Sequence, residues 1–542
     1  MQPQLLLQNF LDRALKHPNK PYLHQPINRQ LTVFTWGDVN QQAQAIAGAL
    51  AEQFEPGDRI AILSKNCAEW IITDLAIMMA GMISVPIYHT ASKKTIEYVL
   101  GHSESKAVFI GKLDGREEIE ASDLSDVTTV AMPYDTVSCD QSWLDYVSHD
   151  PITTIAQLGD HDLMTISYTS GTTGSPKGVE LSAHNLYSTA QSLAGKLNMD
   201  EQDRLMSYLP LAHIMERYLI EVGSCITGTE LYFVESLDSF IDDVKVGRPT
   251  LFISVPRLWS KFQSQVLLKM PDKKLKVLLK IPVVKGLVQK KIKTALGLEH
   301  ARTFASGSAP IAKEMLEWYY RLNIPISEGW GLTESSAGST VNVPFDYKAL
   351  GTVGKPLDSC SIKINDQGEV LLSGESVFTT YHKNPEATLK SFTDEWFHTG
   401  DLGELDAHGN LKIIGRVKEQ FKSERGKYVS PVPIESLLMC NHAIEQCMVY
   451  GSGRAQPIAV VVMSEGNTSE SADLTASLTK TLVSTNEALE HHEKLDALIV
   501  VGDEWTPENE LLTPTMKLKR AQIEEKYNHF LTKKLGAQII WA

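Results

Sequence analysis

The stretch Tyr168-Thr-Ser-Gly-Thr-Thr-Gly-Ser-Pro-Lys-Gly178 concentrates hydroxyl side chains and glycines ahead of a single lysine. The apolar run before it, residues 163–168, is typical of a buried strand. A strand that leads into such a loop offers backbone N–H groups, hydroxyls and one mobile cation to an anion. A flexible surface turn has a similar composition. The interpretation that we favour is a polyphosphate site formed by Thr169, Ser170, Gly171, Thr172, Thr173, Gly174 and Lys177.

The loop is not a Walker A motif, which requires Gly-Lys-Ser/Thr leading directly into a helix. Pro176 precedes Lys177, and residues 179–181 are predicted to form a strand before any helix begins. The residue order instead resembles the phosphate loop of the adenylate-forming (AMP-binding) superfamily, the acyl-CoA synthetases and their relatives. Other segments resemble the same superfamily in the expected order, so that the resemblance covers nearly the whole chain: residues 209–217, 306–310, 328–334, 396–401, 416–418 and 514–520.

The length and charge of the chain limit what it can bind. At 542 residues it is too long for one hydrophobic core, so two or more domains are expected. A formal net charge of −15 argues against nucleic-acid binding, because nucleic acids are bound by basic surfaces. Any anionic substrate must therefore be held by local cations.

The cysteines and the apolar segments bear on the compartment. The six cysteines show no CxxC spacing, so that neither a zinc site nor a disulfide framework is indicated, and a reducing cytoplasm fits best. The first residues lack the basic region and apolar core of a signal peptide. Residues 75–88, the most apolar window, are too few to span a bilayer and are interpreted as a helix end and a buried strand. We expect a cytoplasmic protein that is soluble or peripheral to a membrane.

Helical segments alternate with short Val/Ile-rich runs through much of the first 400 residues, which predicts an α/β fold with parallel sheets covered by helices. Between about residues 352 and 414, short strands with Gly/Asn/Asp turns predict a small β subdomain. Pattern and resemblance together imply a large N-terminal domain, residues 1–415, with two doubly wound sheets and this subdomain. A small mobile C-terminal α/β lid, residues 416–542, is expected to carry the catalytic lysine.

Residues 328–334, Glu-Gly-Trp-Gly-Leu-Thr-Glu, place an aromatic ring, a hydroxyl and a carboxylate beside glycines that permit close backbone approach. Taken alone, the segment is more typical of a turn with a buried tryptophan. The resemblance implies that Trp330 stacks on adenine, that Thr333 contacts the α-phosphate and that Glu334 holds Mg²⁺. It assigns further residues to the adenine region, next to the acyl pocket: Gly307, Ser308, Ala309, Gly329 and Gly331.

Asp401 follows a tight turn, and its carboxylate can accept two hydrogen bonds from the hydroxyls of a ribose. The alternative is an Asx-turn, which explains most Asp residues after Gly. The resemblance implies that Arg416 also reaches the ribose and phosphate and that Lys418 is the hinge of the lid.

Lys517 lies in a segment that resembles the superfamily's C-terminal catalytic motif. A carboxylate that attacks a phosphate is repelled by it, and a cation that bridges both removes this repulsion. We expect Lys517 to be that cation, whereas Lys519 and Arg520 are predicted to be the solvated basic start of a helix.

The segment 209–217 contains His213, which by resemblance lies beside the substrate carboxylate and the thioester passage, although a lone histidine is more often structural. Met215 and Tyr218 are candidate walls of the acyl pocket. The loop 422–431 resembles the one that lines the pantetheine tunnel, through Gly426, Lys427 and Tyr428. Arg425 stands where many relatives have a glycine, which puts the geometry of thiolation in question.

Residues 269–293 contain nine lysines and one acidic residue, Asp272. A basic amphipathic segment can lie on an anionic membrane, where fatty acids partition. The alternative is a solvated pair of surface helices packed on the core.

Within the superfamily, residues 85–90, 103–107, 209–217, 306–310 and 511–517 resemble the long-chain fatty acyl-CoA synthetases more than the aryl or luciferase branches. This resemblance implies ATP-dependent activation of a long-chain fatty acid to an acyl-adenylate and its transfer to coenzyme A. Mg²⁺ is the expected cofactor, and ATP and CoA are the co-substrates. One alternative is a fatty acyl-adenylate ligase that passes the acyl group to a carrier protein. A more distant alternative is a non-catalytic acyl or nucleotide sensor. The sequence leaves the acyl chain length and the oligomeric state open.

Overall fold

The computed structural model describes residues 6–169, 176–424, 426–464, 470–507, 509–513, 516–531, 533 and 535–542. Its architecture is α/β with a large N-terminal and a small C-terminal domain. No helix within these ranges is both long enough and apolar enough to cross a bilayer.

Three sheets form the centre of the N-terminal domain. The first has the order Thr380–Tyr381, Lys177–Ser182, Leu163–Thr169, Ile83–Ile87, Arg59–Leu63, Ser105–Ile110, Thr128–Ala131 and Gln141–Ser142. The second has the order Leu251–Ser254, Thr303–Ser306, Ile326–Trp330, Thr340–Val341 and Lys355–Pro356. The third has the order Arg204–Ser207, Glu230–Phe233, Pro21–Ile27 and Gln30–Thr35.

The β subdomain is a separate antiparallel sheet with the order Ser361–Ile364, Glu369–Ser373, Trp396–Leu405 and Phe392–Thr393, and Leu411–Arg416 also pairs with the third of these strands. The chain leaves this subdomain briefly, because Thr380–Tyr381 pairs with Lys177–Ser182 in the first sheet. The predicted turns at 365–368 and 406–410 connect its strands, and Gly368 has a φ of +82°, which favours glycine.

The C-terminal domain has its own sheet, with the order Ile444–Tyr450, Ile458–Met463, Leu498–Val501 and Ile539–Trp541, and a hairpin of Phe421–Lys422 and Tyr428–Val429. Its hydrophobic clusters contain buried residues only from Val429 onward, so that its core is separate from those of the N-terminal domain.

Helices cover both faces of the sheets. The α-helices are Leu6–Lys16, Trp36–Gln53, Ala68–Met79, Lys93–Ser103, Glu117–Glu120, Trp143–Val147, Ala183–Leu197, Ile214–Glu216, Gly223–Thr227, Phe240–Gly247, Pro256–Lys269, Asp272–Leu278, Pro282–Ala295, Lys313–Arg321, Pro385–Lys390, Pro431–Leu438, Ala472–Ala488 and Arg520–Leu531. A π-helix spans Arg217–Val222, and 3₁₀ turns span Thr333–Ser335 and Tyr347–Ala349.

The hairpin that frames the predicted phosphate loop follows from the local sequence. Leu163–Thr169 is almost entirely buried, and it pairs antiparallel with Lys177–Ser182. Ser182 then caps the helix Ala183–Leu197, because its hydroxyl accepts a hydrogen bond from the N–H of Asn185. The predicted order of strand, loop, strand and helix is confirmed, and so is the helix end and buried strand over residues 75–88.

Candidate active site

The two strands that frame the predicted phosphate loop end opposite each other. Thr169 and Lys177 are register partners, and the Thr169 hydroxyl donates to the Lys177 carbonyl at 3.4 Å. The predicted residues Ser170, Gly171, Thr172, Thr173 and Gly174 lie outside the described residues.

Tyr381 joins Lys177 to Glu334. The Lys177 ammonium lies 4.5 Å from the centre of the Tyr381 ring, a cation–π distance. The Tyr381 hydroxyl donates to Glu334 Oε1 at 2.9 Å. The predicted phosphate lysine and the predicted magnesium carboxylate therefore share one neighbour. Sequence reasoning missed Tyr381, because it comes from the strand Thr380–Tyr381, inserted from the β subdomain.

Asp401 is buried and held from two sides. Its Oδ2 accepts from the Trp330 indole N–H at 2.9 Å, and its Oδ1 lies 2.7 Å from Arg416 Nε. Asp401 and Arg416 are also register partners on adjacent antiparallel strands. Burial raises the pKa of Asp401 above its ordinary value, while Arg416, Trp330 and Lys517 oppose this rise. The fold itself therefore brings together Trp330, Asp401 and Arg416, the residues predicted to hold adenine and ribose.

Lys517 faces the same cleft from the C-terminal domain. Desolvation lowers the pKa of its ammonium below the ordinary value, and Arg416 lowers it further, whereas Asp401, Glu334 and Glu419 raise it. Lys517 is nevertheless exposed, so the cleft beside it is open to solvent. The surrounding protein is still extensive enough to desolvate the ammonium in part. The ammonium of Lys517 therefore interacts electrostatically with four predicted site residues: Glu334, Asp401, Arg416 and His213.

His213 caps the helix Ile214–Glu216. Its Nδ1 accepts the backbone N–H of Met215 at 3.2 Å, so that the proton of the neutral ring resides on Nε2. Burial and the charge of Lys517 lower the pKa of His213 to about 3. At neutral pH the ring is uncharged, and Nε2–H is a donor that can meet a carboxylate oxygen.

The segment 306–310 lies against the acyl-side residues. The Ser308 hydroxyl contacts Met215 Sδ at 3.2 Å, and Ser308 has a φ of +67°, unusual for a residue other than glycine. A Cβ on Gly307 would lie 3.5 Å from both the Gly329 carbonyl oxygen and Met215 Sδ. Ala309 is exposed beside them. The predicted adenine-flanking loop and one predicted acyl-pocket residue therefore adjoin.

Gly331 is required by the protein itself. A Cβ at this position would lie 2.0 Å from the Ala337 carbonyl oxygen, so the turn that contains Thr333 and Glu334 can close only over glycine. The approach of a flat ligand ring, the reason inferred from sequence, is not needed to explain this glycine. Gly329 has more space, with its nearest contact, the Thr340 carbonyl oxygen, at 3.3 Å.

The second acyl-pocket candidate, Tyr218, is buried in the π-helix Arg217–Val222. Arg217, its neighbour, is fully buried and pairs with Asp74 at 2.5 Å and with Glu221 at 3.3 Å. Arg217 also donates to the hydroxyl of Thr165 at 2.6 Å. Because Thr165 lies on the strand Leu163–Thr169, this buried network ties the His213 segment to the strand that leads into the phosphate loop.

Arg520 contradicts its sequence-based interpretation. It was expected to be solvated, but its side chain is largely buried and donates to both carboxylate oxygens of Glu435, at 2.6 and 2.8 Å. Its Nε also lies 3.2 Å from Glu419 Oε2. The sequence placed Arg520 in a basic run, and only the fold brings the two carboxylates to it. Arg520 thereby fixes the start of the C-terminal helix three residues after Lys517.

The predicted hinge and CoA loop are not brought to the cleft. Lys418 is exposed in the turn after Arg416. Gly426 has a φ of +76° at the tip of the hairpin Phe421–Lys422/Tyr428–Val429, where Lys427 and Tyr428 are exposed. The described hydrogen bonds of this tip run within the hairpin and to residues 453 and 454. Arg425 lies outside the described residues.

Within the described ranges, no group of three His, Cys, Asp or Glu side chains could hold a metal ion unaided. Mg²⁺ at a nucleotide does not require such a group, because the ion commonly takes one or two carboxylates and completes its shell with phosphate oxygens and water. Glu334 is the carboxylate predicted for this role, and the Tyr381 hydroxyl orients its Oε1.

The comparisons with known proteins agree with this geometry. Residues 10–382 match the family model described as "AMP-binding enzyme", and residues 419–533 match that of the "AMP-binding enzyme C-terminal domain". The chain belongs to the AMP-binding enzyme family. The two matched segments are separated by residues 383–418, which include Asp401 and Arg416.

Among curated relatives of this AMP-binding enzyme, a long-chain-fatty-acid–CoA ligase of Mycobacterium bovis is 30% identical over 92% of this chain and 93% of its own. The human long-chain-fatty-acid–CoA ligase 1 is 28% identical over 91% of this chain and 81% of its own. Among solved structures, the adenylation domain of a carboxylate reductase from Mycobacterium chelonae superposes with a TM-score of 0.82 at 21% identity, covering 98% and 91% of the two chains. That structural likeness concerns the fold alone.

Proposed function

We propose that this AMP-binding enzyme activates a long-chain fatty acid with ATP, forming an acyl-adenylate and pyrophosphate, and then transfers the acyl group to coenzyme A. The observation that carries the proposal is the position of Lys517, whose ammonium interacts with Glu334, Asp401, Arg416 and His213 in one cleft. A protein that only bound a nucleotide would not need a cation from a second domain at this place. The two relatives described above, both long-chain-fatty-acid–CoA ligases, support a fatty acid as substrate and CoA as acceptor.

The adenylation step is a matter of position and charge. A fatty acid carboxylate and the α-phosphate of ATP repel each other, and fixed cations between them reduce this repulsion. Lys517 is the cation that can contact both, while Lys177 and Thr169 hold the outer phosphates and Thr333 contacts the α-phosphate. Neutral His213 donates from Nε2 to a carboxylate oxygen without adding a charge that would bind the carboxylate too tightly to react.

The nucleoside is held on the opposite wall. Trp330 offers its ring to adenine, while Gly307, Ser308 and Ala309 border it. Asp401 retains lone pairs for the ribose hydroxyls, because each of its oxygens is used once, by Trp330 and by Arg416. Mg²⁺ bound by Glu334 and phosphate oxygens would neutralise phosphate charge.

The second step requires a change of the C-terminal domain. In the observed arrangement Lys517 faces the cleft, whereas Gly426, Lys427 and Tyr428 do not. Rotation of this domain about Lys418 would withdraw Lys517 and bring the hairpin tip to the thioester passage. We include residues 1–415 and 416–542 as the two moving units, with Met215 and Tyr218 bordering the acyl chain.

A cytoplasmic location is a further part of the proposal. It is supported by the six cysteines, whose spacing is not that of a disulfide framework.

The test is an AMP-release assay with palmitate, ATP and Mg²⁺, in the presence and absence of CoA. Formation of acyl-CoA together with CoA-dependent AMP release is the expected result. Adenylate that forms but is captured only by a carrier-protein thiol would favour the fatty acyl-adenylate ligase. The absence of pyrophosphate exchange with any fatty acid, from a protein that binds ATP, would leave the non-catalytic sensor.

A further inference from the structure

The lysines of residues 269–293 are almost free of ion pairs. Within the described part of the chain, only Lys276 among the nine has such a partner, Asp272, at 2.6 Å. The whole chain has a net charge of −15, so this cluster is a local exception rather than part of a general basic surface. An uncompensated cation cluster of this kind favours an anionic partner over simple solvation.

The same segment exposes large apolar side chains. Twenty such side chains are exposed in the described residues, and five of them fall between residues 268 and 287, which is far more than an even spread would give. They are Leu268 at 85% exposure, Val277 at 61%, Ile281 at 45%, Val283 at 80% and Leu287 at 67%.

These side chains form a second apolar stripe that the fold does not use. In the helix Pro282–Ala295, Val288 and Ile292 are buried, four residues apart. Val283 and Leu287 are also four residues apart, but on a different, exposed face. In the helix Asp272–Leu278 only Leu275 is buried, while Val277 stays exposed one turn after Lys273. Residues 272–278 and 282–295 thus form helices at the surface, and their outer face carries both lysines and aliphatic side chains.

The composition of this outer face discriminates between anionic partners. Residues 268–293 contain no arginine and no aromatic residue. Binding of single-stranded nucleic acid relies on aromatic stacking and on arginine, so exposed Leu, Ile and Val would have no role there. A bilayer interface uses both features of the segment, because lysines contact anionic head groups while aliphatic side chains enter the acyl boundary.

We propose that residues 268–293, the docking segment, bind the surface of an anionic phospholipid bilayer, with Leu268, Val277, Ile281, Val283 and Leu287 inserted and the lysines against the head groups. The docking itself is independent of catalysis. Its use, the delivery of a bilayer-dissolved fatty acid to the enzyme, rests on the proposed ligase function.

The experiment is co-sedimentation of the full chain, without substrates, with vesicles of phosphatidylcholine alone or of phosphatidylcholine mixed with phosphatidylglycerol. The charge variant is Lys273→Gln/Lys274→Gln/Lys290→Gln, and its matched control, Lys348→Gln/Lys412→Gln/Lys480→Gln, removes three exposed lysines elsewhere. The apolar variant is Val283→Ser/Leu287→Ser, matched by Leu144→Ser/Leu389→Ser, which are exposed to a similar degree. Thermal unfolding of each variant verifies that it is folded.

Binding is expected only with phosphatidylglycerol and is expected to weaken as salt increases. The charge variant should lose roughly a hundredfold in partition and show a smaller salt dependence, because each lysine near the surface contributes about fivefold. The apolar variant should bind less while keeping the wild-type salt dependence, and both controls should bind as the wild type does. Equal binding to both vesicle types, or unchanged binding of the charge and apolar variants, would overturn the proposal. Because no substrate is present, this failure is distinct from failure of the ligase assay.

Discussion

Arg520 donates two parallel hydrogen bonds to Glu435, from Nη1 to Oε1 at 2.6 Å and from Nη2 to Oε2 at 2.8 Å. The pair joins the helix that follows Lys517 to the helix Pro431–Leu438, and Glu435 Oε1 also accepts the N–H of Val449 at 2.8 Å. A largely buried ion pair inside the C-terminal domain therefore sets the position of the segment that carries Lys517, the proposed catalytic lysine.

Arg520→Ala should lower the free energy of unfolding by about 3 kcal/mol, because it leaves the Glu435 carboxylate buried without its charge partner. Arg520→Lys should be intermediate, since an ammonium cannot reproduce the two-pronged contact. Denaturant unfolding measures both changes. If Arg520→Ala and wild type had the same stability, the pair would not hold this segment.

Lys517→Ala should lower the rate of ATP–pyrophosphate exchange by about a hundredfold or more, the usual cost of removing a preorganised group that stabilises developing charge. Transfer of the acyl group from a supplied acyl-adenylate to CoA should be nearly unchanged, because that step occurs after Lys517 has left the cleft. Lys519→Ala, two residues away, is the matched control and should keep both activities. Equal damage to both half-reactions by Lys517→Ala would contradict the two-position lid.

The pH dependence of adenylation should reflect two lowered pKa values. Lys517 must be charged, and its pKa is lowered, so adenylation should decline with rising pH earlier than an ordinary lysine would allow. His213 has a pKa of about 3 and should contribute no loss of activity near pH 6.5, where an ordinary histidine becomes charged. An acidic limb near that pH that disappears in His213→Gln would contradict the neutral-ring assignment.

The free energy of unfolding should also depend on pH through His213. The folded-state pKa of His213 is depressed, so the unfolded chain binds more protons between about pH 6.5 and pH 3, and stability falls as pH falls through this window. His213→Gln should flatten that part of the profile of unfolding free energy against pH. Identical slopes in wild type and variant would show that the ring is protonated as readily in the folded state as in the unfolded chain.

The two acids around Arg217 should respond differently to amide substitution. Burial and the neighbouring Asp74 raise the pKa of Glu221 well above its ordinary value, although Arg217 lowers it, so that this carboxyl holds a proton more readily than an ordinary glutamate does. Glu221→Gln should then cost less than about 1 kcal/mol, whereas Asp74→Asn removes the charge that balances Arg217 and should cost about 3–5 kcal/mol. Urea unfolding of the two variants measures the difference. The reverse order would show that Glu221, rather than Asp74, supplies the charge that balances Arg217.

Gly331→Ala should impair adenylation, because the added methyl meets the Ala337 carbonyl and must displace the turn that carries Thr333 and Glu334. Gly195→Ala is the control. It lies in the helix Ala183–Leu197 with open space around it, and should stabilise the protein by about 0.5–1 kcal/mol. Pyrophosphate exchange separates the two. Full activity of Gly331→Ala would show that this turn tolerates movement.

The sequence predicted elements whose cause is local. The strand Leu163–Thr169, the returning strand Lys177–Ser182 and the capped helix after it depend on apolar runs, a proline and a serine that are close together in the chain. The two surface helices of the lysine-rich segment were predicted in the same way, as one of two alternatives.

Contacts between distant segments could not be predicted from such patterns. Trp330 and Asp401 are 71 residues apart in the sequence, and Glu435 and Arg520 are 85 residues apart. The residues around one member of each pair therefore do not indicate which residue it will contact. The charge run around Arg520 suggested solvation because lysine and arginine at a helix start usually face water. Tyr381 was missed since its neighbours in sequence are β-subdomain residues.

The pairing of Thr380–Tyr381 with the first sheet limits where the chain can be truncated. A fragment that ended before residue 380 would lose the edge strand beside Lys177 and the phenol that orients Glu334. It would also lose part of the main hydrophobic core, because Tyr381 and Phe397 belong to the same buried cluster as Val179 and Leu181 of the first sheet. A shortened version of this protein must therefore extend beyond Tyr381 if it is to keep both that core and the proposed phosphate site.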